Sequence, residues 1–242
     1  MEDRPMTIIE HLEELRLRLL IALAAFAVAT GISFLFVDRL LAFLIRPVGH
    51  LVFLGVTDAF FIRFKVAAMA GVFLSLPVVL YQIWRFVGTG LTRTERRYTL
   101  SLLPPALLLF VTGAAFAFVA ILPITVRFLL SYETPTLQAM ISVGSYTSFA
   151  TALVLAFGLV FQLPIVILFL ARLGIVTPQS LVAGRRYAIL GIFVASAVLT
   201  PGTDVVSQMM MAVPTYLLYE ISIWVARVVS TKGRRTEALH PD

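Results

Sequence analysis

Nineteen consecutive residues, Leu19–Val37, carry no charged side chain, and that run leaves few folds open. A helix rises about 1.5 Å per residue, so the run reaches about 28 Å, close to the ~30 Å hydrocarbon core of a bilayer. Comparable uncharged runs recur at Val66–Ile83, Leu100–Leu122 and Ser148–Leu170. Two shorter ones, Ala188–Leu199 and Val205–Tyr219, span 12 and 15 residues, about 18 and 23 Å as helices. Either they form a re-entrant hairpin, or they are two short spans joined at Thr200–Asp204 with the bilayer thinned around them. The second is preferred, because Glu220 and Arg227 then fall at the exit interface. Composition agrees with membrane residence: 60% of the 242 residues are hydrophobic, only 13% are charged, and mean hydropathy is +0.98. The expectation is an all-α polytopic membrane protein with six transmembrane helices, the last two short. Residues 1–235 would form one membrane domain, and 236–242 a short tail.

Breaks in these runs predict local structure. Pro77 lies inside the second run, Pro104-Pro105 in the first turns of the third predict a bend, and Gln162 and Pro164 interrupt the fourth. Between Asp38 and Lys65, charge mixed with aromatic residues suggests a short interfacial helix over Asp58–Lys65. Pro123–Thr147 reads as a long polar connection. The first 37 residues are read as a retained span and not as a cleaved leader, since their charged region is acidic as well as basic. With six spans, 14 of the 19 Lys and Arg residues fall on one side, which makes both termini cytoplasmic.

The chain has no cysteine, which excludes disulfides and thiolate metal sites. His11, His50 and His240 lie far apart, no phosphate-cradling glycine loop occurs, and no enzyme motif is present. No metal, cofactor or nucleic-acid partner is expected. No apolar run has an ionisable residue near its centre, which argues against a proton-coupled carrier. A small-solute secondary transporter, the alternative class, would need a midplane site and an internal repeat, and neither is visible.

The informative polar residues flank the apolar runs. In Ile9–Leu20, Glu10, Glu13 and Glu14 share one helical face and Leu12, Leu15 and Leu19 another. Glu14 can pair with Arg18 at i, i+4, or the acidic face can await a cationic partner. Glu95 is the sole carboxylate between Asp58 and Glu133. It can pair with Arg93 or Arg96, or serve a ligand. Gln162, inside an apolar run, needs a hydrogen-bond partner on another helix. Asp204 can cap the helix after it, with Gln208 one turn later on the same face.

Together these segments resemble the TatC family of the twin-arginine protein translocase, over roughly residues 8–235. His11-Leu-Glu-Glu-Leu-Arg16 is similar to that family's amino-terminal signature. Leu76–Phe86 with Leu91–Arg97 is similar to its first cytoplasmic loop. Phe157–Pro164 is similar to its fourth span. Ala197–Pro201 with Asp204–Gln208 is similar to the turn between its short spans. The resemblance implies a concave, glove-like bundle in the cell membrane that is not an enzyme. It implies binding of twin-arginine signal peptides of folded substrates, self-association, TatA- and TatB-type single-span partners, and export driven by the proton-motive force. It assigns peptide binding to Glu14 and Glu95, with Phe86, Arg16 and Arg97 nearby. It places Gln162, Asp204 and Gln208 as intramembrane or partner-facing polar residues. The short last pair is expected to dock TatA-type helices on its outer face.

Overall fold

The computed structural model describes residues 8–46, 48, 51–52, 55, 57–131, 134, 140–199 and 205–237. Among them every named element is a helix, and an isolated parallel bridge joins Val52 and Ser142. The helices, in order, are α1 Ile8–Phe34, α2 Val37–Ile45, α3 Asp58–Val87, α4 Arg93–Ser101, α5 Leu103–Phe116, α6 Leu122–Leu130, α7 Val143–Val160, α8 Leu163–Arg172, α9 Pro178–Ala183, α10 Arg185–Leu199 and α11 Val205–Glu237. Among the described residues, five stretches are long and apolar enough to cross a membrane: Ile9–Phe34, Asp58–Gly90, Glu95–Leu130, Val143–Arg172 and Gln208–Val229. The protein is therefore a multi-pass membrane protein. At 15 residues, α10 is the short helix that its sequence predicts. Helix α11 does not stop with its 15-residue apolar run but continues for 33 residues. Nothing near Tyr219 breaks it, since neither glycine nor proline occurs between Pro214 and Gly233.

Two expectations from sequence change, and one break falls where the sequence puts it. Asp58–Lys65 is not a separate interfacial helix but the first two turns of α3, and the short helix of that region is α2. The third span does not end before Pro123. A π-helical turn, Ala117–Ile121, leads directly into α6. Proline has no N–H to donate, and a wider turn just before it avoids the bond an α-helix would require there. The fourth span is interrupted between α7 and α8 at Phe161 and Gln162. Pro164 cannot donate to the carbonyl of Val160, so the ladder restarts from the Gln162 carbonyl, which accepts from Ile165 and Val166 at 3.0 Å each.

The chain divides into two compact units, Met1–Leu108 with Ala139–Thr151, and Leu109–Gln138 with Ala152–Asp242. In the first, α1 packs along α3. Ala67, Gly71 and Ser75 form a buried stripe of small residues on α3 at i, i+4 and i+8. A Cβ on Gly71 would lie 2.9 Å from the Cα and amide nitrogen of Thr30, so only glycine lets the two backbones approach this closely. The far end of this unit is tied by Tyr146, whose hydroxyl donates to the Leu44 carbonyl at 2.8 Å, and by Lys65, which donates to Ser148 Oγ at 2.6 Å.

In the second unit, α11 packs on α8, α9 and α10. Gly113 meets the Phe157 carbonyl and Gly158 the Phe110 ring, again too closely for a side chain. Helix α8 ends in a left-handed glycine, Gly174 at φ 71°, with Ile175 N–H donating to Leu170 and Gly174 N–H to Ala171. That reversal uses the last carbonyls of α8 and turns the chain toward α9.

Candidate functional site

On α1, His11, Glu14 and Arg18 recur at i, i+3 and i+7, one helical stripe. On α3, Gln82 and Phe86, with Thr89 in the 3-10 turn that follows, form a second stripe. The two stripes run antiparallel and meet. His11 stacks on Phe86 with ring centroids 4.5 Å apart and 23° between planes. Thr89 Oγ1 lies 3.4 Å from His11 Nδ1 and donates to the Phe86 carbonyl at 2.7 Å. Seven residues further along α1, Arg18 donates from Nη2 and Nε to Glu14 Oε1 at 2.9 and 3.3 Å, and from Nη1 to Gln82 Oε1 at 3.1 Å.

This pairing brings two segments, each charged at its outer end, onto one surface. Glu14 and Arg18 keep only 15% and 13% of their side-chain surface exposed. Glu14 Oε2 is buried and accepts no hydrogen bond. A buried carboxylate oxygen without a donor is costly, and a guanidinium fork presents the paired donors that would satisfy it. The i, i+4 pairing of Glu14 with Arg18 is thus formed, and Gln82 holds the arginine in place.

Glu95 sits differently. The described hydrogen bonds of its carboxylate come from Thr92. Thr92 is the N-cap of α4 and forms a reciprocal capping box with it. Thr92 donates from its amide at 2.9 Å and its hydroxyl at 2.8 Å, both to Glu95 Oε2, and the Glu95 amide returns a 3.5 Å contact to Thr92 Oγ1. Thr-x-x-Glu is a helix-start signature readable in Thr92–Glu95. Arg16 and Arg97 are exposed, on α1 and α4 respectively. His11, Arg18, Gln82 and Thr89 were not singled out as binding residues from sequence. Gln82 carries the same signal as Gln162, an amide within an otherwise apolar run.

In the second unit, Gln162 is half-buried at the break between α7 and α8. Gln208 donates from Nε2 to the Phe193 carbonyl at 2.9 Å, joining α11 to α10. Asp204 lies outside the described residues. Among the described residues, no three His, Cys, Asp or Glu side chains gather in a way that could hold a metal ion.

A family profile described as "Sec-independent protein translocase protein (TatC)" matches residues 10–214. A relative in Carboxydothermus hydrogenoformans, described as Sec-independent protein translocase protein TatC, is 43% identical over 236 residues, covering 96% of this chain and 97% of the relative. One of the same description in Aquifex aeolicus is 38% identical over 240 residues, covering 96% and 99%. A crystal structure described as the twin arginine translocase receptor TatC superposes with a TM-score of 0.83 at 39% identity, covering 91% of this chain and all of that one.

Proposed function

This chain belongs to the TatC family of Sec-independent protein translocase proteins, and from that premise we propose that it is the signal-peptide receptor of a twin-arginine translocase. Glu14 and Glu95 take the paired arginines of the signal peptide, with Phe86, Arg16 and Arg97 beside them. Two consecutive arginines carry two planar forks, each of which matches a carboxylate bidentately. The observation that carries the reading is the contact of His11 with Phe86 and of Arg18 with Gln82. It packs the amino-terminal motif of α1 against the motif that closes α3. The bias of Lys and Arg toward one side of the chain supports cytoplasmic termini in the cell membrane. The single-span TatA- and TatB-type partners, self-association and energisation by the proton-motive force follow from family membership in the same proposal. Residues 1–235 act as one membrane domain with a short tail.

The Glu95 capping box makes the test sharp. Glu95→Gln keeps the capping geometry and removes the charge, whereas Thr92→Ala weakens the cap and keeps the charge. Photo-crosslinking to a twin-arginine peptide, with a twin-lysine control, should be abolished in Glu95→Gln and retained in Thr92→Ala. The opposite ranking would show that Glu95 acts only as a cap. Topology has its own check, because the native chain lacks cysteine. Thr203→Cys should react with a membrane-impermeant reagent from outside intact cells, and labelling from the cytoplasmic side alone would turn the last pair into a re-entrant hairpin.

A further inference from the structure

Helices α10 and α11 pack together but leave part of their shared surface open. Between them runs an apolar groove of about 260 Å³ lined by Ile189, Phe193, Ala212, Val213, Tyr216 and Leu217. An apolar cavity of about 150 Å³ accommodates benzene, so this groove has room for a longer stretch of hydrocarbon. One end is closed by Gln208 bonding to the Phe193 carbonyl.

The other end is polar. Arg185, one turn before Ile189 on the same stripe of α10, donates from Nη2 to Glu220 Oε2 at 2.7 Å. Tyr216 donates to Glu220 Oε1, also at 2.7 Å. Both carboxylate oxygens are thus occupied and the glutamate charge is matched. Arg185 still keeps 41% of its side chain exposed. Beside it, Arg186 lies 4.8 Å over the Tyr187 ring and bonds to its hydroxyl at 3.0 Å. Arg227, two turns beyond Glu220 on α11, is exposed, as is Trp224. Cations in excess of carboxylate, with tyrosine and tryptophan, mark a membrane interface.

The geometry points to a binding site for one anionic phospholipid, its phosphate on Arg185 and Arg186 and an acyl chain in the α10–α11 groove. The charge distribution favours this occupant over a partner helix in this half of the pair. A partner helix would have to bring a carboxylate of its own to the arginine end, and a zwitterionic lipid carries a cation beside its phosphate and gains less there. The site fills the space left where 15-residue α10 runs beside the longer α11. It does not depend on the receptor reading.

The test uses the full chain in mild detergent, with native mass spectrometry of retained dioleoyl phosphatidylglycerol against dioleoyl phosphatidylcholine. The anionic lipid should be retained preferentially. Arg186→Gln leaves the Arg185–Glu220 pair intact and should lower its retention about fivefold. Val213→Trp fills the groove and should abolish retention, and unchanged thermal unfolding in both variants shows that the fold is kept. Equal retention of the two lipids, or no loss in either variant, overturns the proposal. So does a photo-crosslinker at Leu217 in membranes that captures a single-span protein and no lipid, which would give the groove to a partner helix.

Discussion

The pairs α1–α3 and α10–α11 both hold apolar helices together, by opposite means. In the first pair, small residues let the backbones touch. Gly71 lies so close to Thr30 that no side chain fits between. In the second, the helices pack beside an open apolar groove, and polar bonds near its ends, Arg185 to Glu220 and Gln208 to the Phe193 carbonyl, tie them together. Helices in a bilayer gain little from burying apolar surface against each other, because lipid is equally apolar. Close contact and hydrogen bonds are what remain. The first pair is therefore a rigid support for the Glu14 surface, while the second leaves space that something else must occupy.

The largest effect should come from the close contact. Gly71→Val forces a branched side chain onto the Thr30 backbone and should destabilise the folded protein by about 3 kcal/mol, read as a lower unfolding midpoint in detergent by tryptophan fluorescence. An unchanged midpoint would mean that the backbones do not touch there. Next is Gln82→Leu, which removes an acceptor from the largely buried Arg18 guanidinium and should cost about 1.5 kcal/mol in the same assay. It should also loosen Glu14 and weaken capture of a twin-arginine peptide. Unaltered peptide capture would detach Gln82 from the receptor surface.

Gly191 supplies the counterpart to Gly71. A Cβ there meets nothing within 4 Å. Gly191→Ala should therefore stabilise α10, by up to about 1 kcal/mol through helix propensity alone. A loss as large as that of Gly71→Val would mean that α10 is covered where the structure leaves it open. The smallest effect is expected from Gln208→Leu, at about 0.6 kcal/mol for one inter-helix hydrogen bond in a membrane. A loss of several kcal/mol would make that bond the main tie of the second pair.

Much of this molecule is legible in its residue order. Uncharged runs set the place and rough length of the long spanning helices, because bilayer thickness and helical rise are both constants. Gly88 and Gly90 followed by Thr92-x-x-Glu95 announce a break and a new helix start. Proline positions are harder to read. Pro123 looks like the end of a span, yet the π-helical turn before it carries the helix on to Leu130. Tyr219 looks like a boundary because hydropathy falls there, but α11 passes through it, since polarity does not end a helix that packing continues to hold.

Which residues meet was decided by the tertiary structure. Glu14 beside Arg18 is a matter of helical spacing and could be anticipated. Gln82 reaching Arg18, and His11 lying on Phe86, could not, for these partners are 64 and 75 positions apart. They meet because α1 and α3 come together antiparallel, and the depth of that approach is set by a contact between Gly71 and Thr30. Local sequence determines what each helix can offer on each face. Only the packing of one helix on another decides which faces are brought together and which, as between α10 and α11, are left open.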